Sequence, residues 1–418
     1  MNPILPLKYY VPDVEAKVFS DGKLYLYGSY DLPGNDEYCS KDYYVFSSAD
    51  FVNFEKSELA FTNREPGLTW AKGDLYAPDC AEKDGMYYLY FCAADGSEGV
   101  AKSRSPMGPF METEPVKGAH PSQIDPTVFI DDDGQAYYYW GQFQLKGAKL
   151  NEDMCTLDME TYNPRLLIEE KDGFHEGASI CKRNNLYYMV FADSSRGRPT
   201  CLGYAVAKSP LGPFKKKGII IDNTGCDPSS WNNHGSICEV DGQWYVFYHR
   251  STHNSFFSRR VCVEPIFFEH DGSIREVEMT VCGQEKEIKC TCRLEASRAS
   301  CLNGKVFIEA GTAKGDYEEH LTNIKNGDWA EYKYLTFDHE KKFTVEAGSF
   351  TYGGTIEVHI ESSEGPQIGE VRVDNTGGWN NYRTFSCEVS EVKGRQAVYL
   401  RFTGDNNRLF DVAGFWFE

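Results

Sequence analysis

Four residues stand at nearly equal distances ahead of tight turns. Asp13 lies 8 residues before Asp21, Asp125 lies 8 before Asp133, Glu176 lies 8 before Asn184 and His234 lies 7 before Asp241. In the one remaining unit the same offset falls on Tyr76, with Asp79 close behind. Three carboxylates brought together repel one another and lose water, so at least one of them keeps its proton more tightly than usual. Such a set, with no metal-ligand cluster and no Ser/His/Cys nucleophile, suits glycoside hydrolysis. There one carboxylic acid protonates the leaving oxygen while a second carboxylate activates water or attacks the sugar. Glu176, in DGFHEGASI, follows an aromatic residue and a His and precedes small residues, surroundings that suit a protonated general acid. Asp13, in YYVPDVEAKVF, suits the base, which leaves Asp125 to tune the acid and orient the sugar. Taken singly, each of these residues could equally cap a strand end.

The elements that would gather them are repeated hairpins. SDGKLYLYGS from Ser20, KDGMYYLYFC from Lys83, DDGQAYYYWG from Asp132, RNNLYYMVFA from Arg183 and VDGQWYVFYH from Val240 each join a turn dipeptide to a Tyr-rich strand. The turn positions recur at intervals of 63, 49, 51 and 57 residues, which predicts a β-propeller of five blades. AKSRSPMGPF (Ala101 to Phe110) and AVAKSPLGPF (Ala205 to Phe214) are near copies, read as third strands followed by Pro-Gly turns. The first strand of a blade lines the central channel. Equal offsets therefore put Asp13, Asp125, Glu176 and His234 on one ring at one end of that channel.

Composition narrows the partners. The formal net charge of −20 and the lack of a basic patch speak against nucleic acid; the longest basic run is Lys215-Lys216-Lys217. Aromatic residues make up 14% of the chain, which suits pleated sheet and also stacking on sugars. The 14 Cys include no CxxC pair, and Cys290-Thr291-Cys292 is the closest spacing, so reduced thiols in a cytoplasmic protein are expected. MNPILPLKYYVPD has no basic n-region, and no apolar run approaches the length of about 18 residues of a membrane span. The expected partner is an oligosaccharide substrate, with no membrane and no nucleic acid. No cofactor is expected for the chemistry.

These motifs resemble glycoside hydrolase family 43. VPDVEAKVF, IDPTVFIDDDGQAYYYWG and HEGASI resemble its three carboxylate motifs in order. LYAPDC resembles its WAPD segment, with Tyr76 where Trp is usual, and NNHGSI resembles its fifth-blade His segment. RRVCVEPIFF resembles the segment that carries a substrate-binding Arg; spacing from Pro265 favours Arg259 over Arg260. The resemblance covers about residues 1–285. It implies a five-bladed propeller and inversion at the anomeric carbon, with Asp13 as base, Asp125 as pKa modulator and Glu176 as acid. An inverting pair stands about 6.5–9.5 Å apart. The resemblance also puts His234 on the channel floor, near a cation in some relatives. Trp70 is placed with the substrate contacts as an aromatic wall, a role its type shares with a packed core residue. Family members release α-L-arabinofuranose or β-D-xylose from plant-wall oligosaccharides; a few act inside arabinan or on β-galactosides.

From residue 286 to 418 the repeat is replaced by short alternating strands, which predict a β-sandwich of jelly-roll type. EKEIKCTCRLEASRAS (Glu285 to Ser300) reads as a linker or first edge strand. NIKNGDWAEYKY, TGGWNNYRTF and FTGDNNRLFDVAGFWFE resemble a family 6 carbohydrate-binding module. That resemblance implies sugar stacking on Trp379. The companion aromatic is replaced by Asn323, and a structural calcium would meet Glu295 but has Ser297 where a second acid is frequent. A structural role for this domain is therefore favoured over tight sugar binding.

The expected activity is that of an inverting, exo-acting arabinofuranosidase or β-xylosidase. The competing readings are a lectin-like propeller that binds sugar without cutting it, an interaction scaffold, and a β-galactosidase or endo-arabinanase of the same fold. A retaining mechanism would need carboxyls only about 5–5.5 Å apart.

Overall fold

The computed structural model describes residues 1–64, 68–119, 124–226, 233–310 and 319–418. His120 to Gln123, which lead into IDPTVF, and Asn232 of NNHGSI lie outside the described residues. Five antiparallel sheets follow one another along the chain, the first four with four strands each and the fifth with three. Their first strands are Glu15–Val18, Leu75–Lys83, Thr127–Ile130, Phe174–Arg183 and Ser236–Val240. Each of these five strands packs against two of the others, so that they form a closed circle about one axis. The first strand of blade 1 meets that of blade 5.

The repeated turns explain the registers. In blades 2, 4 and 5 the hairpin closes in two residues, pairing Lys83 with Met86, Arg183 with Leu186 and Val240 with Gln243. Both central residues are left-handed in each: Asp84 and Gly85, Asn184 and Asn185, Asp241 and Gly242. That is the turn whose twist matches paired strands, and Asp, Asn and Gly tolerate it best. Blades 1 and 3 use longer loops, pairing Val18 with Leu24 and Ile130 with Ala136.

The Tyr-rich second strands are buried between blades, and their hydroxyls tie each blade to the next. Tyr27 donates to the Pro106 carbonyl, Tyr90 to that of Met154, Tyr139 to that of Pro210 and Tyr188 to that of Gly272, all at 2.8 Å. The near-copied SPMG and SPLG turns supply two of these acceptors. A buried Tyr contributes a large apolar face and still satisfies its polar tip.

The channel below the first turn of these strands is filled by a polar layer. Lys17 of blade 1 pairs with Asp79 of blade 2 at 2.8 Å, and Asp79 accepts from Thr127 of blade 3 at 2.8 Å. Ser179 of blade 4 donates to Glu15 at 3.1 Å, and Ser236 of blade 5 donates to the Val14 carbonyl at 2.8 Å. All five inner strands are thereby joined across the axis.

The second domain is a sandwich of two antiparallel sheets. One holds Phe307–Ala310, Glu319–Thr322, Asp411–Phe417, Lys342–Gly348 and Arg383–Glu388, with Leu294–Glu295 paired to Asp411–Phe417. The other holds Cys301–Asn303, Trp329–Phe337, Gly394–Gly404, Gly354–Ile360 and Gln367–Val373. The segment 285–300 is more than a linker: Ile288, Cys290, Leu294 and Ala296 are buried in the sandwich core, which also takes in Val281 and Cys282. The two domains touch through main-chain hydrogen bonds, Leu302 N–H to the Gly225 carbonyl (2.6 Å) and His253 N–H to the Ile308 carbonyl (2.7 Å).

Asn2 closes the ring. Fully buried, it accepts from Val263 N–H at 2.8 Å and donates to the carbonyls of Val263 (2.9 Å) and Thr280 (3.0 Å) and to Glu264 (2.9 Å). Asn2→Ala strands these buried partners and should cost about 2–4 kcal/mol, read as a lower unfolding midpoint in urea. A midpoint within error of the parent would mean that closure does not depend on this side chain.

Candidate active site

The carboxylates occupy the starts of inner strands where the backbone departs from regular pairing. Asp13 and Asp125 are left-handed, with φ of 57° and 54°. Both are residue types that tolerate this region better than most, and the turn aims their side chains at the axis. Glu176 sits in an irregular stretch: pairing with the second strand of blade 4 shifts on either side of it. The same shift occurs between Tyr76 and Asp79 in blade 2. Bulges of this kind re-aim side chains without breaking the sheet. Gly177 completes the arrangement. Its φ is +66°, and a Cβ there would come within 2.9 Å of the His234 ring. Its N–H donates to Asp125 Oδ2 at 3.1 Å.

Asp13, Tyr76, Asp125, Glu176, His234 and Arg259 all line one cavity of about 340 Å³. Tyr38, Cys39, Ile124, Gln142, Phe143, His175 and Arg198 complete its wall. The offset that placed four residues on one ring also placed Tyr76 there. Arg260, the residue beside Arg259, points away from the cavity to the domain interface, where it pairs with Glu319. Trp70 does not join the cavity wall. It stacks on Phe91 with centroids 5.8 Å apart and covers Gly99, where a Cβ would meet its ring at 2.4 Å. Of the two roles open to its type, packing between blades 1 and 2 is the one these contacts describe.

Trp379 lies on the sandwich domain, apart from this cavity. The Arg408 guanidinium stands 4.0 Å from the centre of its ring, and Phe350 lies 6.5 Å away. Asn323, where a companion aromatic was expected, donates to the Lys305 carbonyl at 3.0 Å. Glu295 accepts from Arg298 at 2.6 Å and faces Arg293 at 3.8 Å. A carboxylate already answered by guanidinium groups does not fit a calcium ligand. Among the described residues no group of three or more His, Cys, Asp or Glu is placed to hold a metal ion.

The electrostatics of the cavity are lopsided. Arg259 Nη1 donates to Asp13 Oδ1 at 2.9 Å, while its Nε, Nη2 and backbone N–H all donate to Asp31 at 2.9 Å. Ser29 donates to Asp13 Oδ2 at 2.7 Å, and Asp13 N–H donates to His249 Nδ1 at 3.4 Å. Burial alone pushes the Asp13 carboxyl up, but Arg259, with His249, His234 and Ser29, holds it below the ordinary value. Asp13 is therefore ionised. The other two go the opposite way. Burial, then repulsion from Glu176 and Asp13, pushes Asp125 well above the usual range. Burial also raises Glu176, against the pull of His175 and the Gln142 hydrogen bond. Asp125 and Glu176 are thus biased toward the protonated form and Asp13 toward the charged one. Burial lowers His234, which keeps its ring neutral. Asp31, Gln142 and His249 were not foreseen from the sequence. The nearest signal was the run Gly28-Ser29-Tyr30-Asp31 at the end of the first Tyr-rich strand.

One carboxyl biased toward its charged form and two biased toward the protonated form, in one cavity on a propeller axis, give the arrangement of a glycoside hydrolase. The chain belongs to glycosyl hydrolases family 43, whose family model it matches over residues 1–274. Residues 300–418 match the carbohydrate binding module of family 6. A xylosidase/arabinosidase of Thermoclostridium stercorarium is 29% identical, over 97% of this chain and 96% of its own length. An arabinoxylan arabinofuranohydrolase of Bacillus subtilis is 30% identical, over 92% of this chain and 86% of its own. A solved family 43 arabinoxylan arabinofuranohydrolase from Bacillus subtilis, in complex with cellotetraose, superposes with a TM-score of 0.58 at 27% identity, covering 100% of this chain and 97% of that one. A β-xylosidase/α-arabinofuranosidase from a compost metagenome, solved with xylotriose in a calcium-free form, gives 0.58 at 31% identity, covering 66% of this chain and 97% of that one.

The Gln142 amide donates to Glu176 and stabilises its charged form, which lowers its pKa. Gln142→Leu removes that donor, so Glu176 should hold its proton to higher pH. The alkaline limb of kcat/KM is expected to move upward while the acid limb stays in place. An alkaline limb that stays fixed or moves down would separate Gln142 from the acid.

Proposed function

We propose that the protein is an inverting, exo-acting hydrolase that releases α-L-arabinofuranose or β-D-xylose from plant cell-wall oligosaccharides. The observation that carries this reading is the asymmetry of two carboxyls in one cavity: Arg259 donates to Asp13 at 2.9 Å and holds it below the ordinary carboxyl range, while burial raises Glu176 above it. In the reaction, Asp13 takes a proton from a water as its oxygen attacks the anomeric carbon. Glu176 gives its proton to the departing oxygen. The bond to the leaving group breaks on the face opposite the new one, so the configuration inverts. Afterwards Asp13 is protonated and Glu176 charged, and exchange with solvent resets both. Asp125, held by Gly177 N–H with His234 Nδ1 3.9 Å away, shares the cavity with Glu176 and modulates its acidity. Tyr38, Tyr76, Ile124 and Phe143 offer apolar faces to one sugar ring. The names of the similar enzymes, xylosidase/arabinosidase and arabinoxylan arabinofuranohydrolase, support a pentose in this cavity. An oligosaccharide is the proposed partner and the cytoplasm the proposed location; the charge of −20 supports neither a nucleic-acid nor an anionic-membrane partner.

The test is hydrolysis of the 4-nitrophenyl glycosides of α-L-arabinofuranose, β-D-xylopyranose and β-D-galactopyranose, with Asp13→Ala as control. Release of one pentose, absent in the control, is the expected outcome. Proton NMR of the first product should show the inverted anomer; the retained anomer would overturn the mechanism. No cleavage of these glycosides, nor of xylan and arabinan oligosaccharides, would favour a lectin-like propeller.

Glu176→Ala should lose about 10²–10⁴-fold in kcat on natural oligosaccharides and much less on aryl glycosides, whose leaving groups need little protonation. Equal losses on both would take the acid role from Glu176.

A further inference from the structure

We propose that Glu319, on the sandwich domain, is a positioning residue for the catalytic base in the propeller. This rests on the reading of Asp13 as the base. Glu319 begins the strand Glu319–Thr322, and its side chain is 1% exposed. It accepts hydrogen bonds from the Tyr10 hydroxyl and the Arg260 guanidinium. Both donors belong to the propeller, and both lead directly to the base. Tyr10 precedes Asp13 by three residues, and its carbonyl accepts from Asp31 N–H at 2.9 Å. Asp31 is the carboxylate that fixes Arg259 through three 2.9 Å hydrogen bonds. Arg260 is the next residue after Arg259, which in turn holds Asp13 at 2.9 Å. One buried carboxylate from the other domain thus clamps both arms from which the base and its cation hang.

A second contact runs beside the first. His253 N–H donates to the Ile308 carbonyl at 2.7 Å, and Ala310 N–H donates to His253 Nε2 at 3.2 Å. The His253 ring packs edge-on against Tyr10 at 5.6 Å. From the same loop, Phe257 packs at 4.6 Å on Tyr38, a wall of the cavity. The sandwich domain therefore touches the base side of the site through its first hairpin.

The charged groups concerned are few. Asp13 faces Arg259, His249 and His234, with Asp31 behind Arg259 and Asp125 and Glu176 in the same cavity. Glu319 faces Arg260 and Tyr10, while the adjacent His320 turns toward Asp411 at 3.8 Å. If the clamp loosens, Arg259 slackens on Asp13. Asp13 then loses the cation that opposes its desolvation, and its proton binds at higher pH.

The test compares Glu319→Gln and Tyr10→Phe with the parent, all as full chains, on whichever 4-nitrophenyl pentoside the parent cleaves. The expected result is a kcat about 10–100-fold lower in Glu319→Gln, KM changed by less than about 3-fold, and the acid limb of kcat/KM moved up by roughly one pH unit. Tyr10→Phe should move the limb in the same direction by less. If both pH profiles superimpose on the parent's while only the melting temperature falls, Glu319 is structural and the proposal fails. If Glu319→Gln does not fold, the limb in Tyr10→Phe decides alone. An active Asp13→Ala would overturn the base reading itself; an inactive Asp13→Ala with an unmoved acid limb overturns only the role of Glu319.

Discussion

A single buried cation organises this molecule. Arg259 is only 2% exposed. Leaving a guanidinium unpaired there would be prohibitive, so two carboxylates, Asp13 and Asp31, are drawn in to meet it. Asp31 takes the bidentate side and the backbone, which fixes the plane of the group. Asp13 is left with one hydrogen bond from it and a free edge toward the cavity. That arrangement makes one carboxyl in the ring anionic. The others, lacking a comparable partner, are raised above the ordinary carboxyl range by burial and by repulsion from the neighbouring carboxylates. The chemical asymmetry of the pocket follows from where one Arg was placed.

Holding that Arg in place requires the whole propeller. Its strand, Arg259–Pro265, is the last of blade 5, and Asp13 and Asp31 flank the first two strands of blade 1. The site therefore spans the seam where the ring closes, and Asn2 stitches that seam from the far side of the strand. Tyrosine hydroxyls tie blade to blade around the rest of the circle. A strained left-handed residue at Asp13 and another at Asp125 persist because their neighbours over-determine them.

Much of this was legible in the chain. The five turns revealed the blade count because each joins a turn dipeptide to a Tyr-rich strand, and in blades 2, 4 and 5 both turn residues take the left-handed geometry that few other types accept. The offsets placed Asp13, Tyr76, Asp125, Glu176 and His234 on one rim because nearly the same number of residues separates the rim from the outer turn in each blade. Asp31 could not be found that way. It reaches Arg259 across 228 residues of sequence, and only the closed ring makes them neighbours. Trp70 was ambiguous for a related reason: a large ring suits a wall and a core alike, and only Gly99 shows which space it fills. The segment before the sandwich looked polar, yet it buries Ile288, Cys290, Leu294, Ala296 and Ala299 in the sandwich core with strands far along the chain.

The polar layer of Lys17, Asp79, Thr127, Glu15, Ser179 and Ser236 bars the axis beneath the carboxylates. A sugar that enters has one doorway. On the proposed exo reading, the freed monosaccharide sits deepest and departs by the route through which the chain arrived, after the shortened chain has stepped aside. Turnover is then a matter of queueing: the remainder of the substrate cannot slide forward into the vacated place. Each cut has to be a separate visit.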